Sequence, residues 1–278
     1  MIYDIITFNG EEELFEIRYN ILKDYIDEFR VVEFDKTFSG KPKPSVFNQK
    51  WPKVRHYYIK EDVWSKYKEL AISSPNTQYG KGAKHWITEF CQKESIKDVL
   101  LNLKNEDICF IGDCDEIWDS NTLYLNIPGP AKLKLKVYSY YLDNRSNEDF
   151  WGTIVIQYKD IKNECLNHIR VNLNKTEKYY GWHFTSIGGY ENVKKKLTDS
   201  YTEDSYASQD ILNNLENNIN GNKDFLNRQY SYRTDQSEWP KYLSDNKSKY
   251  RVLLINGKDS TSAKKSSRQN KGVAIPTW

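Results

Sequence analysis

Three carboxylates fall within four residues at the end of an apolar run, Ile108-Cys109-Phe110-Ile111-Gly112-Asp113-Cys114-Asp115-Glu116. A buried strand that stops at such a cluster brings several negative charges to one sheet edge, and a cation among them relieves their repulsion. Asp113 and Asp115 are two apart, so in extended backbone both side chains leave on one face. Hard oxygen ligands of this kind suit Mg²⁺ or Mn²⁺. The competing reading is a strand followed by an acidic turn or helix start, with Asp115 or Glu116 favoured by the helix dipole. A second group is Gly181-Trp182-His183-Phe184-Thr185. His183 between two aromatics is either a packed core imidazole or a metal or substrate contact, and Trp182 and Trp151 are either core residues or stacking faces for a sugar.

Other chemistries are less favoured. Cys91, Cys109, Cys114 and Cys165 show no Cys-x-x-Cys spacing and no paired His. Neither a zinc site nor a disulfide framework is indicated, and a reduced, cytoplasmic setting is expected. Of the 278 residues 29% are charged, yet the net charge is only +2. There is no global pull toward nucleic acid or anionic membrane. No basic leader and no 18-residue apolar run is present, so no signal peptide or transmembrane segment is expected.

The elements that must position these residues follow from periodicity. Ile2 to Phe8 reads as a strand, Asn9-Gly10 as a turn, and the next segment as an amphipathic helix with Leu14, Ile17, Ile21, Leu22 and Tyr25 on one face. Arg30 to Phe34 is a second strand, which completes a βαβ unit with parallel pairing and a right-handed crossover. The prolines of Phe38-Ser39-Gly40-Lys41-Pro42-Lys43-Pro44 break regular structure at the carboxyl end of that strand, where open parallel sheets bind ligands. Val54 to Tyr58 is a third strand. Residues 62–72 and 83–104 are mainly helical, with Trp86, Phe90, Leu100, Leu101 and Leu103 as core positions, and the acidic strand follows. Ala131 to Leu142 alternates Leu and Val with Lys132, Lys134 and Lys136, a half-exposed strand whose lysines face solvent. Trp151 to Tyr158 is another strand, and Gln209 to Ile219 is a helix. Residues 258–278 form a basic, flexible tail after a single domain of residues 1–257.

Three segments, taken in order and spacing, carry a resemblance: Tyr3-Asp4-Ile5-Ile6-Thr7-Phe8-Asn9-Gly10 through Val32-Glu33-Phe34-Asp35-Lys36-Thr37-Phe38-Ser39-Gly40, then Gly112-Asp113-Cys114-Asp115-Glu116-Ile117, then Gly181-Trp182-His183-Phe184-Thr185. From about residue 2 to about residue 254 the chain resembles glycosyltransferase family 17, the β-1,4-N-acetylglucosaminyltransferases. The resemblance implies a GT-A-type α/β fold, with a Rossmann-like mixed sheet flanked by helices. It also implies a UDP-sugar donor, a glycan acceptor, a divalent metal and inversion at the anomeric carbon. By motif position, Arg18, Glu33, Thr37, Ser39, Gly40, Asp113, Asp115, Glu116 and His183 match signature residues. One departure stands out: a His-containing segment usual after a Lys-Leu pair reads Lys196-Leu197-Thr198-Asp199-Ser200-Tyr201-Thr202-Glu203 here. Its role is left to His183 or Glu203, or is vacant.

The implied reaction assigns roles. Asp115 is a direct metal ligand, Asp113 contacts metal or ribose, and Arg18, Glu33, Thr37, Ser39, Gly40 and Lys41 serve the donor, with Lys43 as further positive charge. An inverting transfer needs a general base beside the acceptor hydroxyl, and Glu116, Glu148, Asp149 and Asp210 stand unranked. Two other readings are a binding protein of the same fold without turnover, and a metal-dependent nucleotidyltransferase. The second lacks a phosphate-cradling Gly-rich loop near the first strand.

Overall fold

The computed structural model describes residues 1–74, 86–124, 130–200 and 206–257; the expected tail at 258–278 lies outside them. β1 (Ile2–Thr7), α1 (Glu12–Leu22) and β2 (Glu28–Phe34) form the expected βαβ unit, with Tyr3 opposite Glu28 and Thr7 opposite Val32 in parallel pairing. Parallel neighbours need a crossover, and α1 supplies it by burying Leu14, Phe15, Ile17 and Leu22 against the sheet. Tyr25 does not share that face. The chain turns after Leu22 to enter β2, which leaves Tyr25 40% exposed.

β3 (Val54–Ile59) pairs with β2, and β4 (Ile108–Asp113) pairs with β1 so that Asp113 sits opposite Thr7. These four strands are parallel. Beyond β4 the sheet turns mixed: β7 (Asn144–Gln157) runs antiparallel to β4, and β6 (Ala131–Ser139) antiparallel to β7. β8 (Asn174–Thr185) is parallel to β6, and β5 (Glu116–Trp118) is antiparallel to β8. The order is β3-β2-β1-β4-β7-β6-β8-β5, with β9 (Tyr232–Thr234) on β7. This is the expected Rossmann-like mixed sheet.

Alternation along the strands divides the core. Ile6, Val31 and Phe110 face α1 and α8 (Lys241–Asp245). Ile5, Val32 and Ile111 face the side covered by α2 (Glu61–Trp64), α3 (Lys68–Ser73), α4 (Ile87–Ser95) and α5 (Leu166–Asn172). A smaller cluster of Tyr140, Val193, Leu197, Leu215 and Ile219 joins α6 (Tyr190–Ser200) to α7 (Gln209–Asn220).

Four expectations need correction. The helix expected at 83–104 ends at Ser95 and tightens to a 3₁₀ turn at Ile96–Leu100, after which Leu101 points outward at 74% exposure. Its first residues, 83–85, lie outside the described set, and Trp86 is half-buried at a cavity wall rather than in the core. The strand expected from Trp151 starts at Asn144, because β6 and β9 both pair with its first half. The lysines of β6 are not a solvent face: Lys134 pairs with Asp149 at 2.7 Å, Lys136 with Glu238 at 2.9 Å, and Lys132 lines a cavity.

Candidate functional site

Two cavities meet at the acidic sheet edge. The first opens at the carboxyl ends of β1, β2 and β4, where the chain leaves the sheet, and is lined by Thr7, Phe8, Asn9, Lys36, Thr37 and Lys43 among others. The second, about 420 Å³, extends toward β6, β7 and β8, past Trp86, Lys132, Phe150, Trp151 and His183. Phe38, Asp113, Asp115, Lys196 and Ser200 line both. A ligand long enough to occupy both must cross the two aspartates.

Asp113 is the last residue of β4, while Cys114 and Asp115 form a turn rather than extended strand. Chain reversal, not the pleat, therefore brings the two carboxylates to one place. Asp113 accepts a hydrogen bond from Thr7 Oγ1 at 2.6 Å and lies 3.3 Å from Lys93 Nζ. Burial opposes its ionisation, but the Lys93 ammonium and the Arg170 guanidinium outweigh that and hold its pKa down to about 2. Asp115 receives Lys196 Nζ at 2.6 Å and has His183 Nε2 at 3.7 Å. Burial again opposes ionisation, and Lys196 and His183 overcome it, so Asp115 lies far below the usual carboxylate range. Both aspartates are anions at neutral pH.

Glu116 behaves in the opposite way. It is 3% exposed, and burial, aided by the nearby Asp113 charge, raises its pKa. Two glycines make its seat: a Cβ on Gly112 would come within 2.7 Å of Glu116 Oε2, and one on Gly152 within 2.7 Å of Glu116 Cδ. Lys132, on the same cavity wall, is pulled by burial, then by Arg170, to a pKa of about 8.

Arg18 and Glu33, matched to donor binding by resemblance, are internal. Arg18 is 0% exposed; its Nε and Nη2 reach Asp4 at 2.6 Å each, and its Nη1 donates to the carbonyls of Asp113 at 3.1 Å and Glu116 at 2.7 Å. It holds the acidic turn from behind. Glu33, also 0% exposed, accepts from Ser45 Oγ at 2.8 Å and from the backbone N–H of Val46 at 3.0 Å, anchoring the loop that follows β2. Thr37 lines the first cavity, but Ser39, Gly40 and Lys41 turn toward the end of α6. Ser39 N–H donates to Asp199 O, and both Ser39 Oγ and Lys41 Nζ reach Thr198 O at 3.0 Å, satisfying carbonyls the helix leaves open. Gly40 has φ +85°, which this tight loop requires and which side-chain-bearing residues rarely adopt. Lys43 Nζ bonds Phe8 O at 3.2 Å and Asn9 Oδ1 at 2.8 Å at the cavity rim.

The four base candidates separate. Glu116 and Glu148 line the second cavity. Asp149 does not; its neighbour alternation on β7 turns it outward, where it is 54% exposed and paired with Lys134. Asp210 is exposed in the first turn of α7 and lines neither cavity. Trp151 lines the second cavity, whereas Trp182 is 7% exposed with Nε1 bonded to Glu238 O at 2.6 Å. Sequence reasoning missed Lys93, Arg170, Asp224 and Arg228 as cavity residues. None stands near a motif, and only the Lys-Leu pair pointed to Lys196.

His183 stacks on Phe150 with ring centroids 4.0 Å apart, and its buried Nδ1 has no hydrogen-bond partner among the described residues. Two carboxylates and one imidazole are a donor set that suits Mn²⁺ or Mg²⁺. Among the described residues, no three His, Cys, Asp or Glu side chains converge as a preformed ion cage. The Lys196 ammonium stands against Asp115 where a cation would approach. Glu203, the other stand-in for the missing His, lies outside the described residues.

The sequence model of glycosyltransferase family 17 matches residues 1–259. The rat and mouse beta-1,4-mannosyl-glycoprotein 4-beta-N-acetylglucosaminyltransferases are each 25% identical over 313 aligned positions, which cover 98% of this chain and 58% of theirs. The human protein of that name is 24% identical over 296 positions, 92% of this chain and 55% of its own. The chain thus spans less than two thirds of the length of these relatives. Among solved structures, the galactosyltransferase LgtC with donor and acceptor sugar analogues is similar at TM-score 0.30 and 11% identity, covering 59% of this chain and 60% of that one. Mouse xyloside xylosyltransferase 1 in its apo form is similar at TM-score 0.30 and 5% identity, covering 63% and 76%. No described helix is long and apolar enough to cross a membrane.

Proposed function

This chain belongs to glycosyltransferase family 17, and from that premise we propose that it transfers a sugar, GlcNAc by analogy with its relatives, from a UDP-sugar to a carbohydrate hydroxyl with inversion. The observation that carries this reading is the junction of two cavities across Asp113 and Asp115. In this reading the nucleotide goes to the first, at the carboxyl ends of parallel strands, and the donor sugar and acceptor go to the second. The diphosphate then lies over the aspartates, beside Lys196 and Lys93. Lysines at the junction favour the charge that grows as UDP departs. Asp113, Asp115 and His183 are the residues to hold Mn²⁺ or Mg²⁺, which when bound supplies positive charge against the leaving diphosphate. Arg18, fixed by Asp4, sets the height of the acidic turn, and Trp151 offers a wall for a sugar ring.

A second reading, a sugar-nucleotide-binding protein without turnover, is favoured by one feature. Both aspartates are already paired with lysines. Release of UDP from UDP-GlcNAc, followed with and without Mn²⁺ in the intact chain and in Asp115→Asn, tests the two. Mn²⁺-stimulated release that Asp115→Asn abolishes supports the transferase. UDP-GlcNAc binding with no release supports the binder.

A further inference from the structure

We propose that Glu148 is the general base of the transfer and that Arg228, fixed by Asp224, is its positioning residue; the inference rests on the glycosyltransferase reading above. Among the described residues, six carboxylates line the second cavity: Glu89, Asp113, Asp115, Glu116, Glu148 and Asp224. Five are committed elsewhere. Glu89 is 2.8 Å from Lys93, and Asp113 and Asp115 are the low-pKa pair at the junction. Glu116 fills the glycine seat behind them. Asp224 is 2% exposed and grips Arg228, with Oδ1 to Nε at 3.0 Å and Oδ2 to Nη2 at 2.7 Å. Glu148, 16% exposed and away from the junction, meets a loose cation, Arg228 Nη1 at 3.6 Å, and the Tyr230 hydroxyl.

Its place in the cavity is also right for the role. From Asp115 the wall runs through His183 at 3.7 Å to Phe150, stacked on that imidazole at 4.0 Å. Glu148 is two residues from Phe150 on β7, on the same strand face and about 7 Å along. A sugar whose diphosphate sits at Asp115 therefore presents its other side toward Glu148. The guanidinium is held by more than one group. Asp224 also accepts from the Arg228 backbone N–H at 3.1 Å and from Tyr232 OH at 3.3 Å, and the Tyr230 ring lies 4.7 Å from the guanidinium carbon.

In the transfer the acceptor oxygen forms a bond to the anomeric carbon while its proton passes to the Glu148 carboxylate. The bond from that carbon to the diphosphate oxygen breaks, and its electron pair leaves with UDP. Burial raises the Glu148 pKa, which makes it a better base than the aspartates; Arg228 opposes that rise. His183, Asp224 and Tyr230 are the other titratable groups facing it.

The test uses UDP-GlcNAc as donor and p-nitrophenyl β-mannoside or water as acceptor, with wild type, Glu148→Gln and Arg228→Gln assayed from about pH 5 to 9. Glu148→Gln is expected to lower kcat by about 100-fold or more, to leave the KM for UDP-GlcNAc within about twofold, and to abolish the acidic limb of the pH profile. Arg228 favours the charged carboxylate, so Arg228→Gln should move that limb to higher pH, a shift that a purely structural role would not produce. A Glu148→Gln enzyme with kcat within about threefold of wild type overturns the assignment while leaving the transferase reading standing. If Glu148→Gln does not fold, Arg228→Gln decides, and an unmoved limb overturns the assignment. A wild-type chain that binds UDP-GlcNAc yet transfers to neither acceptor overturns both.

Discussion

Replacing Arg18 with Met separates a buried support from a donor contact. The substitution preserves much of the side-chain volume but removes a guanidinium that makes two bonds to Asp4 at 2.6 Å and two to the carbonyls of the acidic turn at 3.1 and 2.7 Å. Asp4, 0% exposed, is left with Trp118 Nε1 at 2.9 Å as a neutral donor and, among the described residues, no cation. Breaking one side of a buried ion pair costs about 3–5 kcal/mol. For a chain of this size each kcal/mol moves the melting temperature by about 2–4 °C, so a fall of about 6–20 °C is expected. UDP affinity in Mn²⁺ should fall as well, because the turn bearing Asp115 loses its anchor. The double variant Asp4→Leu, Arg18→Met removes the stranded charge and should recover part of the stability without recovering UDP affinity. Thermal melts and calorimetric UDP titration on the same preparations give both readouts. An Arg18→Met protein that melts with wild type but has lost UDP binding would refute this reasoning and return Arg18 to the donor site.

Gly152→Ala should destabilise by about 1–3 kcal/mol in urea titration, since the new Cβ would stand 2.7 Å from both Glu116 Cδ and Phe150 Cε1; an unchanged midpoint would show that this seat is loose. Burial works against the Asp224 charge, but Arg228 bonding outweighs it and lowers the pKa. That contribution is complete above the unfolded value near 3.9 and is lost as pH falls through the lower folded value, so Asp224→Asn should flatten the loss of stability below about pH 4. An equally steep acid transition in the variant counts against it. Asp149→Asn should leave kcat within about twofold, because its carboxylate faces solvent beside Lys134; a collapse in turnover would put Asp149 back among the bases.

What the sequence by itself determined is local. The period of α1, the apolar runs of β1, β2 and β4, and the prolines after β2 encode a βαβ unit and a strand ending in acids, because side-chain period and turn chemistry act over a few residues. Only the tertiary structure decided which charges meet. Lys196 reaches Asp115 across 81 residues, and Arg18 reaches the Glu116 carbonyl across 98. His183 arrives beside Asp115 because β5 pairs with β8, Glu116 opposite His183. Arg18 and Glu33 keep their motif positions yet face inward, and the Lys132 that alternation assigned to solvent lines a cavity, because strand order and not spacing decides which face is covered. Glu148, Asp224 and Arg228 carry no signature in the chain. They come together where β7, β9 and the segment after α7 fold over the same cavity, and only that juxtaposition lets Asp224 hold the half-exposed Arg228 beside Glu148.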